Sequence, residues 1–73
     1  MKAFSSEVLQ LFRDMKMDRL DLHVLFESGG NDPAERKRVL DGVDELLGDG
    51  MVENAGGDFY TLTEKGKKAA AQS

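Results

Sequence analysis

The stretch from Asp32 to Gly66 leaves the chain the fewest choices, because a marked helix start, a marked helix stop and a hairpin signal follow one another without slack. Asp32-Pro33-Ala34-Glu35 sets an acidic N-cap before a proline at the first helical position, with a glutamate placed to close a capping box. Val39, Leu40, Val43, Leu46 and Leu47 then fall on one apolar stripe at the helical period. The spacing predicts a helix from Pro33 to Leu47 with that stripe against a core, ended by Gly48 and Gly50. Met51-Val52 and Phe59-Tyr60-Thr61-Leu62 read as two short strands joined by a two-residue turn at Gly56-Gly57. That pairing sets Met51 against Leu62 and Glu53 against Tyr60 on one face, with Val52 against Thr61 and Asn54 against Phe59 on the other. Thr63 is placed to cap a last helix.

At 73 residues the chain reads as one small domain, whose core rarely supplies more than roughly 3–5 kcal/mol without a staple. It has no cysteine, so neither a disulfide nor a thiolate metal site serves as one; a dimer is the remaining expectation. No apolar run approaches the roughly 18 residues that span a membrane, and no apolar signal region follows Met1-Lys2-Ala3-Phe4. The expected location is the cytoplasm.

Towards the N-terminus, Phe4, Val8, Leu11, Phe12 and Met15 share a narrow arc opposite Glu7, Gln10 and Asp14, which predicts an amphipathic helix from Ser5 to Met15. With Ser5 as N-cap, Phe4 and Leu9 take the positions of a hydrophobic staple. From Asp18 to Ser28 the pattern is ambiguous. Leu20, Leu22, Val24 and Phe26 alternate as in a half-buried strand, yet an eight-residue strand has no adequate partner in so short a hairpin. A helix apolar nearly all round suits the middle of a three-helix core, so helix is the expectation and a short edge strand the fallback. His23, the one histidine, has no second ligand nearby and reads as a surface or half-buried imidazole.

Asp49-Gly50-Met51-Val52-Glu53 and Tyr60-Thr61-Leu62-Thr63-Glu64-Lys65-Gly66 resemble the wing of winged helix-turn-helix proteins, in particular the PadR-like and MarR-like bacterial regulators, in which a Leu-Thr-x-x-Gly segment follows the second wing strand. The Leu20 to Phe26 stretch is also similar to the opening core helix of PadR-like domains, and the convincing match covers Val39 to Ala69. The resemblance implies a mainly α fold with a small β-hairpin: a three-helix core, a two-stranded wing and a short C-terminal helix. The Pro33 to Leu47 helix then takes the place of the recognition helix, with Ala55 to Asp58 as the wing tip. The PadR-like pattern has a short helix where only Gly29 to Asp32 is available. Either that helix is missing, or the Ser5 to Met15 helix is the first of the three and the Leu20 segment the second; the latter fills every part.

From the residues themselves, which offer no metal-ligand spacing, no cofactor or metal is expected; function implied by the resemblance is duplex DNA binding by a homodimeric regulator. Its candidate contacts are Arg36, Lys37 and Arg38 in the first turns of the recognition helix, Asn54, Gly56 and Gly57 in the wing, and Lys65, Lys67 and Lys68 in the tail. Charge opposes it. The formal net charge is −4, with six acids against three bases from Gly29 to Gly50 and no cation in the hairpin. Lys37 is spaced to pair with Asp41, as is Arg38, which makes a solvated helix face.

The alternative is an acidic winged-helix module that binds protein, as an assembly subunit or an inhibitor of a nucleic-acid-binding partner. Phe59 and Val52, if both outward, form a contact patch, and Gly42 inside a helix points to close approach of another helix, from this chain or a second one. An enzyme is not expected: no nucleophile set, phosphate loop or metal-ligand spacing is present.

Overall fold

The computed structural model describes residues 3–72. It runs α1 (Ala3–Met15), β1 (Arg19–Asp21), α2 (Leu22–Gly29), α3 (Pro33–Gly48), β2 (Val52–Asn54), β3 (Phe59–Leu62) and α4 (Glu64–Ala71). The protein is mainly helical, with a small antiparallel sheet in the order β1-β3-β2. No helix among the described residues is long and apolar enough to cross a membrane.

Helix α3 begins as its sequence dictates: Asp32 Oδ1 accepts from the Glu35 N–H at 3.0 Å, with Pro33 in the first turn. It ends in a Schellman pair, Met51 N–H to the Leu46 carbonyl and Gly50 N–H to the Leu47 carbonyl, with Gly50 at φ 74°. Helix α1 closes the same way, Met17 N–H to the Phe12 carbonyl and Lys16 N–H to the Arg13 carbonyl. There the left-handed residue is Lys16, at φ 55°, where a β-carbon is strained.

Residues 18–28 are not one helix. Arg19–Asp21 forms a short edge strand on β3, with Leu20 opposite Tyr60, and Asp21 then caps α2 by accepting from the Val24 N–H at 2.8 Å. One aspartate thus ends the strand and starts the helix. Leu20 is buried from the strand, and Leu25 and Phe26 from the helix, so an apolar pattern that fits neither period throughout is satisfied by a change of period at Asp21. Three helices precede the hairpin, with the Ala3–Met15 helix as the first of them.

The hairpin register also differs from the expectation. Residues 55–58 form a four-residue connection, and Val52 pairs with Leu62, Glu53 with Thr61 and Asn54 with Tyr60. Val52, Leu62 and Leu20 therefore share the buried face, and Val52 is 3 % exposed rather than outward. Gly56 and Gly57 both take positive φ, and Asn54 holds the loop: its Nδ2 donates to the Gly57 carbonyl and its Oδ1 accepts from the Gly56 N–H.

The core joins Val8, Leu9 and Phe12 of α1, Val39, Val43 and Leu46 of α3, and inward residues of α2, the sheet and α4. Helix α1 crosses α3 at Gly42, where an added Cβ would lie 2.5 Å from both the Phe4 carbonyl oxygen and Val8 Cγ2. The close approach that Gly42 permits therefore comes from within this chain. Ser5 lies inside α1 and is not its N-cap. Its N–H and Oγ both donate to Glu45 Oε1 of α3, at 3.0 and 2.9 Å, so an acid from the crossing helix satisfies the first turn of α1.

The Leu-Thr-x-x-Gly segment docks α4 against the end of α3. Thr63 Oγ1 accepts from the Gly66 N–H and donates to the Gly50 carbonyl, while Thr63 N–H donates to the Met51 carbonyl. A Cβ at Gly66 would collide with the Met51 carbonyl oxygen. Each element of that segment has a packing reason.

Candidate functional site

The two faces of α3 are not divided as its hydrophobic residues suggest. Val39, Gly42, Val43 and Leu46 are buried, whereas Leu40 and Leu47 of the expected core stripe are 43 % and 38 % exposed. Five apolar positions span too wide an arc for one contact, and the core takes the side facing α1 and α2. Leu40 and Leu47 sit seven residues apart on the outward side, with Lys37 and Asp44 between and beside them, all exposed.

The cations expected at the start of α3 are exposed but engaged. Lys37 pairs with Asp41 at 3.0 Å, as its spacing predicts. Arg38 turns instead to Glu7 of α1, at 3.7 Å. The Arg36 guanidinium lies over the Phe26 ring, 4.7 Å from its centroid, anchoring the α2–α3 corner. The two ion pairs are solvent-exposed and contribute little, at most about 1 kcal/mol each, so phosphate can compete for Lys37 and Arg38.

The tail lysines do not join this group. Lys65 donates to the Asp49 carbonyl beyond the far end of α3, at 2.7 Å. At about 1.5 Å of rise per residue, Asp49 lies some 18 Å along the axis from Lys37. Lys67 reaches Asp18 and Glu64, at 3.8 and 3.5 Å, and Lys68 is exposed on α4. In the hairpin Asn54 is occupied in holding the loop and Gly56 and Gly57 set its turn, with Glu53 and Asp58 as its charged residues.

Of the residues expected at a protein interface, Phe59 alone is on the surface, 40 % exposed, with the Arg19 guanidinium 4.7 Å from its ring centroid. Val52 and Gly42 are buried. The exposure of Leu40 and Leu47 is not legible in the sequence, because a heptad-spaced pair within a longer apolar stripe carries no mark of which way it faces. His23 is exposed.

A groove of about 240 Å³ runs between α1 and the α2–α3 corner, floored by Val8, Leu11 and Val39 and rimmed by Glu7, Glu35 and Arg38. The Arg38–Glu7 pair lies across its rim. Its volume falls below the range of about 300–1,000 Å³ usual for small-molecule sites.

No family model, curated protein or solved structure matches the chain.

Proposed function

We propose that the chain is a winged-helix domain and that its working surface is the outward face of α3, used to bind protein. The fold reading is supported by the order of elements: a strand before α2 that pairs with the closing strand of the hairpin, and an α2–α3 pair joined by a three-residue, glycine-containing turn at residues 30–32. The observation that carries the protein-binding reading is the exposure of Leu40 and Leu47 on one side of the helix that would enter a DNA groove. Between them that side carries Asp44, with Asp41 beside it, and a phosphate backbone close to this stretch meets two acids and two leucines.

Duplex DNA is the second reading, favoured by Lys37 and Arg38 in the first turns of α3, where recognition helices commonly read bases. The test is a titration of an arbitrary duplex across salt. Protein binding by α3 predicts no duplex complex at about 50 mM salt and about 100 μM protein, above the usual range of non-specific dissociation constants. A complex whose log affinity falls against log salt with a slope near three, reduced by about one in Lys37→Ala or Arg38→Ala, overturns that reading and establishes the second.

A further inference from the structure

Along the outward side of α3, Pro33, Lys37, Leu40, Asp44 and Leu47 are all exposed and recur at intervals of four and three residues. That is the spacing of a coiled-coil seam. Read from either end, the seam has an apolar residue at each terminus and at its centre; between them it is basic on one side and acidic on the other. Reversing the helix therefore exchanges the charges and leaves the apolar positions in place.

We infer that the protein docked on this face is a second copy of the same chain, its α3 antiparallel to the first about a two-fold axis at Leu40. This rests on the reading of that face as a protein-docking surface. The pairing sets Leu40 on Leu40 of the second copy, Lys37 beside its Asp44, and Pro33 beside its Leu47, and the two-fold repeats each contact. A parallel pairing would set lysine on lysine and aspartate on aspartate, so the charges select the antiparallel orientation. Lys37 already holds Asp41 of its own helix, with its side chain 78 % exposed. An ammonium has three donors, so it can hold Asp41 and take Asp44 of the second copy together.

The seam spans about 21 Å, from the rise of α3 between Pro33 and Leu47. A contact so short lies at the small end of protein interfaces, and the dimer dissociates on dilution.

The test is sedimentation equilibrium of the full chain from about 10 μM to about 1 mM, the range in which a weak dimer dissociates. Wild-type protein is expected to pass from monomer to dimer. Asp44→Lys, which sets lysine against lysine, weakens association at least about tenfold, and Lys37→Asp combined with Asp44→Lys restores it to within about threefold of wild type. Leu40→Glu abolishes it. Far-UV circular dichroism matching wild type confirms that each variant is folded. Wild-type monomer at about 1 mM, association unchanged in Leu40→Glu, or an exchanged pair as weak as Asp44→Lys alone overturns the inference. A monomer that binds no duplex refutes self-association alone. A monomer that binds duplex with the salt slope of the α3 cations refutes the docking reading as well.

Discussion

Gly42→Ala tests the α1–α3 crossing because intrinsic propensity and packing predict opposite signs. In an open helix interior the change stabilises by about 1 kcal/mol. Here the new methyl would stand 2.5 Å from the Phe4 carbonyl oxygen and from Val8 Cγ2, about 0.5 Å inside the closest separation a β-carbon tolerates. The carbonyl belongs to the backbone of α1, and Val8 is 1 % exposed and branched at Cβ, so neither neighbour yields cheaply. The helices must part at the point where Ser5 meets Glu45. Overpacking of this kind costs about 1–3 kcal/mol, towards the upper end against backbone. After the propensity gain, a net loss of about 1–2 kcal/mol remains, a fall in Tm of roughly 4–16 °C for a domain this small. The assay is thermal and urea unfolding followed by circular dichroism, with Gly48→Ala as control. Gly48 has nothing within 4 Å of its added Cβ, and its substitution should stabilise by up to about 1 kcal/mol. Gly42→Ala as stable as wild type, or more so, would refute the account of the crossing.

Lys16→Gly relieves the left-handed residue that closes α1 and should raise stability by about 0.5–1 kcal/mol in the same unfolding assay. Thr63→Ala removes both the cap of α4 and the bond to the Gly50 carbonyl, for a loss of about 1–2 kcal/mol, whereas Thr63→Ser retains most of it. Val52→Asp buries an unpaired carboxyl and should leave the chain unfolded by circular dichroism at 25 °C, since that penalty of roughly 3–5 kcal/mol equals the whole stability of so small a core. Phe59→Ser, on the opposite face, should cost under about 1 kcal/mol, the scale of its contact with Arg19.

Where the sequence carries a stereochemical signal, it located the structure well. Asp32-Pro33 opens α3, Gly50 closes it, and Thr63 caps α4, because each residue type suits a backbone geometry that few others do. Patterns of hydrophobicity were less informative. Residues 18–28 changed period at Asp21, and an aspartate within an alternating run reads equally well as an outward strand position or a cap. The hairpin register turned on whether two or four residues lie outside the ladder, and that single step moved Val52 from the expected surface to the core. A glycine inside a helix, as at Gly42, signals close approach of another element, but only the fold supplies α1 as that neighbour. The expected basic site joined Arg36, Lys37 and Arg38 with Lys65, Lys67 and Lys68 of the tail; α3 separates the tail group from the group at its start, and Arg36 is held on Phe26.

The proposed use of the outward side of α3 between copies of this chain is tested most directly by amide chemical shifts recorded on dilution. Two-dimensional ¹⁵N–¹H spectra from about 1 mM to about 20 μM span the range in which a short seam dissociates. Concentration-dependent shifts are expected at the amides along residues 34–47, Pro33 having no N–H, with α1 and α4 unchanged. Shifts confined to α4 or around Phe59, or spectra that do not change with concentration, would contradict it.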